Sequence, residues 1–302
     1  MSDDTQILPD LDTVVLEALS LFEKAPPPAF PDIKFEKPLI IGSGNAYWIG
    51  RILFEDKQAL FANESDFENI LKANVDIDGA IIISASGSKS STEIAQTLEK
   101  RGLKTILLTT EKGSPTGQIL QEENVYLFPK KTEPYSYNVS PYLGMLLSHF
   151  STKVGDIKDI IDTLEEKLPE NLKQFDAFVL LLPAKFHLLK GVFATKFEEL
   201  FGSRVRVRAY TFNEFKHAKS IVPNENELFV TFGYPEFDFK TRESDEIYSL
   251  PIPENADYPL LMSLGYYFIG RIQKVHPPYF KTNVKGYLEK SKSWFDDKPK
   301  PI

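Results

Sequence analysis

A buried strand that runs directly into a serine-rich turn and then into a helix is the feature that most constrains the fold of this chain. The β-branched run at 81–83 predicts the strand, and Ile94, Ala95 and Leu98 share one face of the following helix. Between them, residues 84–91 contain six serine or glycine positions in eight. Strands that alternate with helices in this way form parallel sheets that are covered on both faces.

The turn itself is suited to an anion. Ser90 and Glu93 have the spacing of a capping box, which places the helix start just after Lys89 and directs the free N–H groups of the helix towards the turn. Hydroxyls, a flexible glycine and the Lys89 cation beside a helix N-terminus favour a phosphate. A turn that only caps the helix is the alternative that these residues leave open.

The alternation of strands and helices occurs twice along the 302 residues. It runs through 37–154 and restarts in 176–302, with a charged helical connector at 155–175 and an N-terminal helix and proline-rich connector at 1–36. We therefore expect an α/β fold with two doubly wound parallel sheets, and a chain that is 42% hydrophobic can bury two such cores. Ligands of such sheets bind beyond the carboxyl ends of the strands.

Composition excludes several classes of function. The net charge of −8, with no stripe rich in lysine and arginine, argues against nucleic-acid binding. No apolar run approaches twenty residues and no secretory signal is present, so we expect a cytoplasmic protein without a membrane span. The chain has no cysteine, its four histidines show no i,i+4 pairing, and the Gly42-x-Gly44 turn lacks the third glycine of a dinucleotide fingerprint. No metal and no cofactor are expected.

Ser84-x-Ser86-Gly87, at the end of a buried strand, resembles the Ser-x-Ser-Gly-x-Thr phosphosugar loop of the sugar isomerase (SIS) domain family, although Lys89 stands where the family has threonine. The resemblance implies two flavodoxin-like SIS domains in tandem, of which the first binds the sugar phosphate. It implies phosphate contacts from five residues of the turn: Ser84, Ser86, Gly87, Ser88 and Lys89. It implies sugar contacts from three residues of the first glycine turn: Gly42, Ser43 and Gly44.

The second half of the chain resembles the catalytic half of SIS isomerases, including the bifunctional phosphoglucose/phosphomannose isomerases. The similarity lies in a Lys196-x-x-Glu199 helix and in a polar loop that ends in His217. It implies that Glu199, or Glu198 if the register slips by one, moves a proton between C1 and C2, and that His217 assists ring opening. The segment 277–288 is similar to the closing segment of these enzymes, which implies that Lys285 reaches the sugar.

Isomerisation of an aldose to a ketose removes a proton α to a carbonyl, so it needs a carboxylate base that is held close and partly desolvated. The function that the resemblance implies is isomerisation of glucose 6-phosphate, fructose 6-phosphate and mannose 6-phosphate. Two alternatives remain open, a catalytically silent phosphosugar sensor and a deglycase or amino-sugar phosphate isomerase. We also expect a homodimer, for which the aromatic residues 266–268, Tyr279 and Phe280 offer contact surface unless they fill a core.

Overall fold

The computed structural model describes residues 8–134, 136–218, 224–233, 247–278, 281 and 283–295. By internal contacts the chain divides into two compact units. One, the first-sheet unit, comprises residues 21–131 and 140–151. The other, the second-sheet unit, comprises the described residues of 1–20, 132–139 and 152–302. The short segment 132–139 thus belongs with the second sheet although it follows the last strand of the first.

Helices and strands alternate through both units. The first part of the chain contains α1 (Leu11–Lys24), β1 (Pro38–Gly42), α2 (Asn45–Leu53), β2 (Leu60–Ala62), α3 (Phe67–Ala73), β3 (Gly79–Ile83), α4 (Ser90–Lys100), β4 (Thr105–Thr109), β5 (Val125–Leu127) and α5 (Val139–His149). The second part contains α6 (Val154–Glu165), β6 (Ala177–Leu182), α7 (Leu189–Phe201), β7 (Arg206–Thr211), α8 (Phe212–Ala218), β8 (Glu227–Phe232), β9 (Ile247–Leu250), α9 (Tyr258–Val275) and α10 (Val284–Phe295).

Both sheets of the described chain are parallel, which confirms the predicted α/β class. The first has the strand order β2-β1-β3-β4-β5 and the second the order β7-β6-β8-β9. The first order is that of flavodoxin-like folds, and the second follows the same order over four strands. Every residue of β1, β3, β4, β6 and β8 is buried, as expected for central strands covered on both faces. This burial explains why short runs of Ile, Leu and Val were sufficient to predict these strands.

Several predicted elements differ from the observed ones. The charged segment at 155–175 forms a continuous helix only over α6, which ends at Glu165. The polar loop expected at 214–217 is helical, because it belongs to α8. Trp48 and His149 lie on apolar helical patterns, which predict a core position for both, but Trp48 is half-buried and His149 is exposed against the ring of Phe30, with 4.8 Å between the ring centroids. Both lie on the solvent side of otherwise apolar helices.

The aromatic residues of α9 fill a core. Tyr266, Tyr267 and Phe268 are at most 5% exposed, so for these three the alternative that they fill a core is confirmed, and they offer no contact surface for a dimer. Tyr279 and Phe280, the other two residues of that hypothesis, lie outside the described residues. The homodimer itself stays a prediction. None of the helices in the described part of the chain is long and apolar enough to cross a membrane.

The first turn of α1 approaches α9 so closely that the contact needs a glycine. A Cβ built on Gly270 would lie 2.0 Å from the backbone nitrogen of Asp12, and backbone cannot yield to it as a flexible side chain would. Asp12 is buried there and pairs with Lys274 at 2.5 Å and with Arg271 at 3.6 Å. Helices α1 and α9 are therefore held together by ion pairs to Asp12 and by the close backbone approach at Gly270.

We predict that Gly270→Ala destabilises the protein by about 1–3 kcal/mol, because the added methyl overpacks this contact. Gly155→Ala in α6 is the matched control. No atom lies within 4 Å of a Cβ at that position, so we expect it to be neutral or to add up to about 1 kcal/mol through helix propensity. Urea unfolding of both variants measures the difference. Equal stabilities would mean that α1 moves away from α9 without cost.

Candidate functional site

The serine turn and the glycine turn start from neighbouring positions of the first sheet. Gly42 at the end of β1 is in register with Ile83 at the end of β3, so both turns leave the same edge of the sheet at its carboxyl ends. The structure thus brings together the two sets of residues that the sequence assigned to sugar and phosphate. In the glycine turn, Ser43 is exposed and a Cβ on Gly42 would meet the backbone of Ala46 at 2.6 Å.

The serine turn is held by hydrogen bonds to its backbone. The Gly87 amide donates to the Ser84 hydroxyl at 3.1 Å, and the Ser86 and Ser88 hydroxyls bond each other at 2.8 Å. The loop that follows β4 also contacts the turn, because the Thr116 amide donates to the Gly87 carbonyl at 2.9 Å. A Cβ on Gly87 would lie 2.3 Å from the Ser114 hydroxyl oxygen, so only glycine fits.

The helix α4 begins at Ser90, directly after Lys89 as predicted, but the predicted capping box is wrong. No side chain caps the first turn of α4, and Ser90 is its first helical residue. The N-terminal N–H groups of α4 are therefore not satisfied by a side-chain cap. Ser91 instead donates to the Ser88 carbonyl at 2.9 Å and bonds the buried Thr116 hydroxyl at 2.8 Å.

Lys89 has a backbone conformation that favours glycine. Its φ of 57° and ψ of −129° match those of Gly44, 54° and −125°, which occupies the same position before α2. For a residue with a Cβ this conformation costs on the order of 1–3 kcal/mol and persists only where the surroundings impose it. The lysine therefore stands at a strained position whose exposed side chain adds a positive charge to the turn.

In the second-sheet unit, Glu199 lies on α7 beside a buried lysine. The Lys196 side chain is 0% exposed, and its ammonium donates to Glu199 Oε2 at 2.6 Å, to the Tyr137 carbonyl at 2.9 Å and to the Ser136 carbonyl. These three acceptors use all three ammonium protons. The Glu199 side chain is 29% exposed, and within the described residues its other oxygen, Oε1, accepts no hydrogen bond. One carboxylate oxygen is thus anchored while the other remains open to a ligand.

The Ser136 and Tyr137 carbonyls belong to a loop with unusual backbone angles. Ser136 has a φ of 72° and Asn138 a φ of 48°, and neither is glycine. Asparagine tolerates positive φ better than most residues, but serine does so rarely. The loop conformation therefore depends on the groups that bind it from outside, of which Lys196 is one.

The other predicted catalytic residues are exposed and form no bond with Glu199 within the described residues. Glu198 is exposed on α7, His217 is exposed in the last turn of α8, and Lys285 is exposed in the first turn of α10. Within the described residues, no hydrogen bond or ion pair joins any of the three to Glu199. No group of three or more histidine or acidic residues there is arranged to hold a metal ion.

The segment around His217 is helical because a capping box forms at Thr211. The Thr211 amide donates to Glu214 Oε2 at 2.7 Å, and the Glu214 amide donates to the Thr211 hydroxyl at 3.4 Å. Burial alone would raise the pKa of Glu214, but hydrogen bonds from Lys190 and Thr211 outweigh it and lower the pKa below its usual value. Phe215 anchors the helix in the core.

Sequence reasoning missed Lys196 as a functional residue and treated it only as a point of alignment. A signal was present, because Lys196 lies on the same helical face as Phe193, Phe197 and Leu200, where a lysine is unexpected. The hydrogen bonds from Lys196 to the loop at 132–139 carried no such signal, because they join residues that are distant in sequence.

Comparison with known proteins places the fold. No protein-family model and no curated protein matches the chain. Among solved structures it is similar to glucosamine-6-phosphate deaminase from Thermotoga maritima, with a TM-score of 0.60 and 19% identity over 89% of this chain and 94% of that one. It is also similar to tagatose-6-phosphate ketose/aldose isomerase from Escherichia coli, with a TM-score of 0.59 and 16% identity over 87% of each chain. The chain shares their fold.

A third similar structure is the C-terminal domain of glucosamine-fructose-6-phosphate aminotransferase from Francisella tularensis, with a TM-score of 0.58 and 13% identity over 87% of this chain and 91% of that one. The high coverage on both sides means that the likeness extends over most of each chain. At identities this low the likeness shows a shared fold, and an activity has to be argued from the residues of the site.

We predict that Lys89→Gly raises the free energy of unfolding by about 1 kcal/mol, because glycine adopts the observed conformation without strain. Lys89→Ala is the matched control. It also removes the charge but keeps the Cβ, so we expect no gain in stability. Urea unfolding compares the two variants. If they are equally stable, the backbone at position 89 is not strained.

Proposed function

We propose that this protein binds a 6-phosphosugar and interconverts its aldose and ketose forms. The observation that carries the proposal is the Glu199 carboxylate, anchored through Oε2 by a buried ammonium while Oε1 receives no hydrogen bond from the described residues. This arrangement holds one carboxylate oxygen in place and leaves the other available to take a proton from carbon. The fold supports the proposal, because structures that share it are named for 6-phosphosugar chemistry.

In this proposal each half of the chain supplies one function. The two sheets represent SIS-type domains in tandem. The serine turn binds the phosphate through the hydroxyls of Ser84, Ser86 and Ser88, the N-terminal N–H groups of α4 and the Lys89 cation. The first glycine turn, including Ser43, borders the sugar.

Glu199 carries the proton between C1 and C2 through an enediolate. It takes the proton from one carbon and returns it to the other, while the hydroxyl proton passes from the oxygen on one carbon to the oxygen on the other, so the carboxylate is regenerated and no cofactor is consumed. His217 assists ring opening, a proton transfer that a histidine performs near neutral pH. Lys285 binds the sugar. Glucose 6-phosphate, fructose 6-phosphate and mannose 6-phosphate are the proposed substrates.

A second candidate is favoured by the similarity to a deaminase whose name specifies glucosamine 6-phosphate. With an amino-sugar phosphate the same base would move the C2 proton to C1, and water would then add to the resulting C2 imine and displace ammonia. Assays of a panel of 6-phosphosugars and their 2-amino counterparts, read beside thermal-shift binding, separate the candidates. Turnover of neutral sugars supports the isomerase, turnover of amino sugars alone supports the deaminase, and binding without turnover identifies a sensor.

We predict that Ser86→Ala weakens the binding of glucose 6-phosphate by about 1–3 kcal/mol, the usual cost of losing a hydrogen bond to a charged group. Isothermal titration measures the affinity. Ser203→Ala, at an exposed serine of the second-sheet unit, is the control and should bind as the native protein does. Native affinity in Ser86→Ala would argue that the turn does not bind phosphate through this hydroxyl.

We predict that Glu199→Gln lowers turnover by about 10²–10⁴-fold with phosphosugar binding nearly intact, because the amide keeps the shape of the carboxylate but is not a base. The measurement is exchange of deuterium at C2 of glucose 6-phosphate. Glu166→Gln, at an exposed glutamate after α6, is the control. If Glu199→Gln exchanges at the native rate, the base lies elsewhere and Glu198→Gln is the next variant to test.

A further inference from the structure

Tyr137 is held at both ends by buried groups from distant parts of the second-sheet unit. Its carbonyl accepts a hydrogen bond from Lys196 at 2.9 Å. Its hydroxyl donates to the Pro9 carbonyl at 3.0 Å and accepts from Gln273 Nε2 at 2.5 Å. Tyr137, Lys196 and Gln273 are each 0% exposed, so water does not compete for these bonds. The position of Tyr137 is therefore set by three separate segments of the chain.

Gln273 extends the connection to the start of α1. Its Oε1 accepts a hydrogen bond from the Leu11 amide at 2.8 Å, and Leu11 is the first residue of that helix. The first amides of a helix have no partner within the helix, so the Gln273 side chain from α9 caps the N-terminus of α1. Gly270, one turn earlier on α9, permits the close approach that this bond requires.

A continuous chain of hydrogen bonds thus leads from α1 to the open carboxylate. The Leu11 amide bonds Gln273, and Gln273 bonds the Tyr137 hydroxyl. The carbonyl of the same tyrosine bonds Lys196, and Lys196 bonds Glu199. Backbone preference alone does not hold the loop in this conformation, because the residues on either side of Tyr137 have positive φ. If the loop shifts, Lys196 loses two of its three acceptors. Its side chain can then change conformation and no longer fixes Glu199.

We propose that Tyr137 and Gln273 are positioning residues that hold the Lys196–Glu199 pair in its working geometry. The proposal rests on the proposed function in so far as Glu199 is the base. It goes beyond that function because it gives the N-terminal segment at 9–11 and Gln273 a role in catalysis without contact with substrate. A misplacement of a base by about 1 Å is enough to reduce the rate of proton transfer markedly.

The test compares two identical substitutions. Tyr137→Phe removes the hydroxyl at the centre of the network. Tyr258→Phe is the matched control, because that tyrosine is 2% exposed, lies in the same unit and also donates its hydroxyl to a backbone carbonyl, that of Lys185 at 2.9 Å. Tyr137→Phe loses the bonds to Pro9 and from Gln273, and Tyr258→Phe loses the bond to Lys185, so both variants remove buried hydrogen bonds of a tyrosine hydroxyl. Of the two tyrosines, Tyr137 is the one whose carbonyl binds Lys196. Gln273→Asn, too short to reach both of its partners, is a second variant should Tyr137→Phe fail to fold.

Two readouts are taken on each variant. The first is hydrogen exchange of the loop amides, including those of Tyr137 and Val139, which donate to the Pro134 carbonyl and to Glu133 Oε2. The second is kcat and KM for fructose 6-phosphate. In Tyr137→Phe we expect loop exchange to accelerate and kcat to fall, each by about tenfold, with KM within about twofold of native. In Tyr258→Phe we expect both to remain native.

Equal effects in the two variants, or native behaviour in Tyr137→Phe, would overturn the proposal. Failure of the proposed function has a different signature, because the native protein would then turn over none of the 6-phosphosugars. Loop exchange that accelerates in Tyr137→Phe and not in Tyr258→Phe would still support the positioning of the Lys196–Glu199 pair. Loop exchange that does not change would overturn it.

Discussion

A lysine ammonium without access to water is stable only where hydrogen bonds replace its hydration shell. Lys196 meets this requirement with two carbonyls of a loop and one carboxylate, and the ring of Tyr266 lies 5.4 Å from its nitrogen. The requirement acts in both directions. The cation needs its three acceptors, and the loop and Glu199 take their positions from the cation.

The first sheet illustrates a different constraint. Two parallel strands in register deliver two turns to one edge, and both turns enter their helices through the same left-handed conformation, once at Gly44 and once at Lys89. Glycine adopts this conformation freely and lysine does not. The strained Lys89 therefore stands at the carboxyl edge of a parallel sheet, the edge at which ligands of such folds bind.

The predictable part of the structure was the part with local causes. The β-branched run at 81–83 predicted β3, and the face shared by Ile94, Ala95 and Leu98 predicted α4, because a central strand or a helix packed on a sheet needs its apolar residues in sequence order. Capping was less predictable. The pair Ser90 and Glu93 forms no capping box, whereas Thr211 and Glu214 form one, since a side chain bonds the helix start only where the preceding backbone directs it there.

The sequence by itself determined the α/β class, the serine turn between β3 and α4, and Glu199 as a candidate base through resemblance. Only the tertiary structure decided which groups fix that base. Lys196 is close to Glu199 in sequence, but the groups that hold Lys196 are distant. The Tyr137 carbonyl, which bonds it directly, is about 60 residues away, and Gln273, which acts through Tyr137, is about 80 residues away. The physical reason is that a buried charge must be hydrogen-bonded by groups that lie close to it in space, and the local sequence pattern does not indicate which distant residues those are.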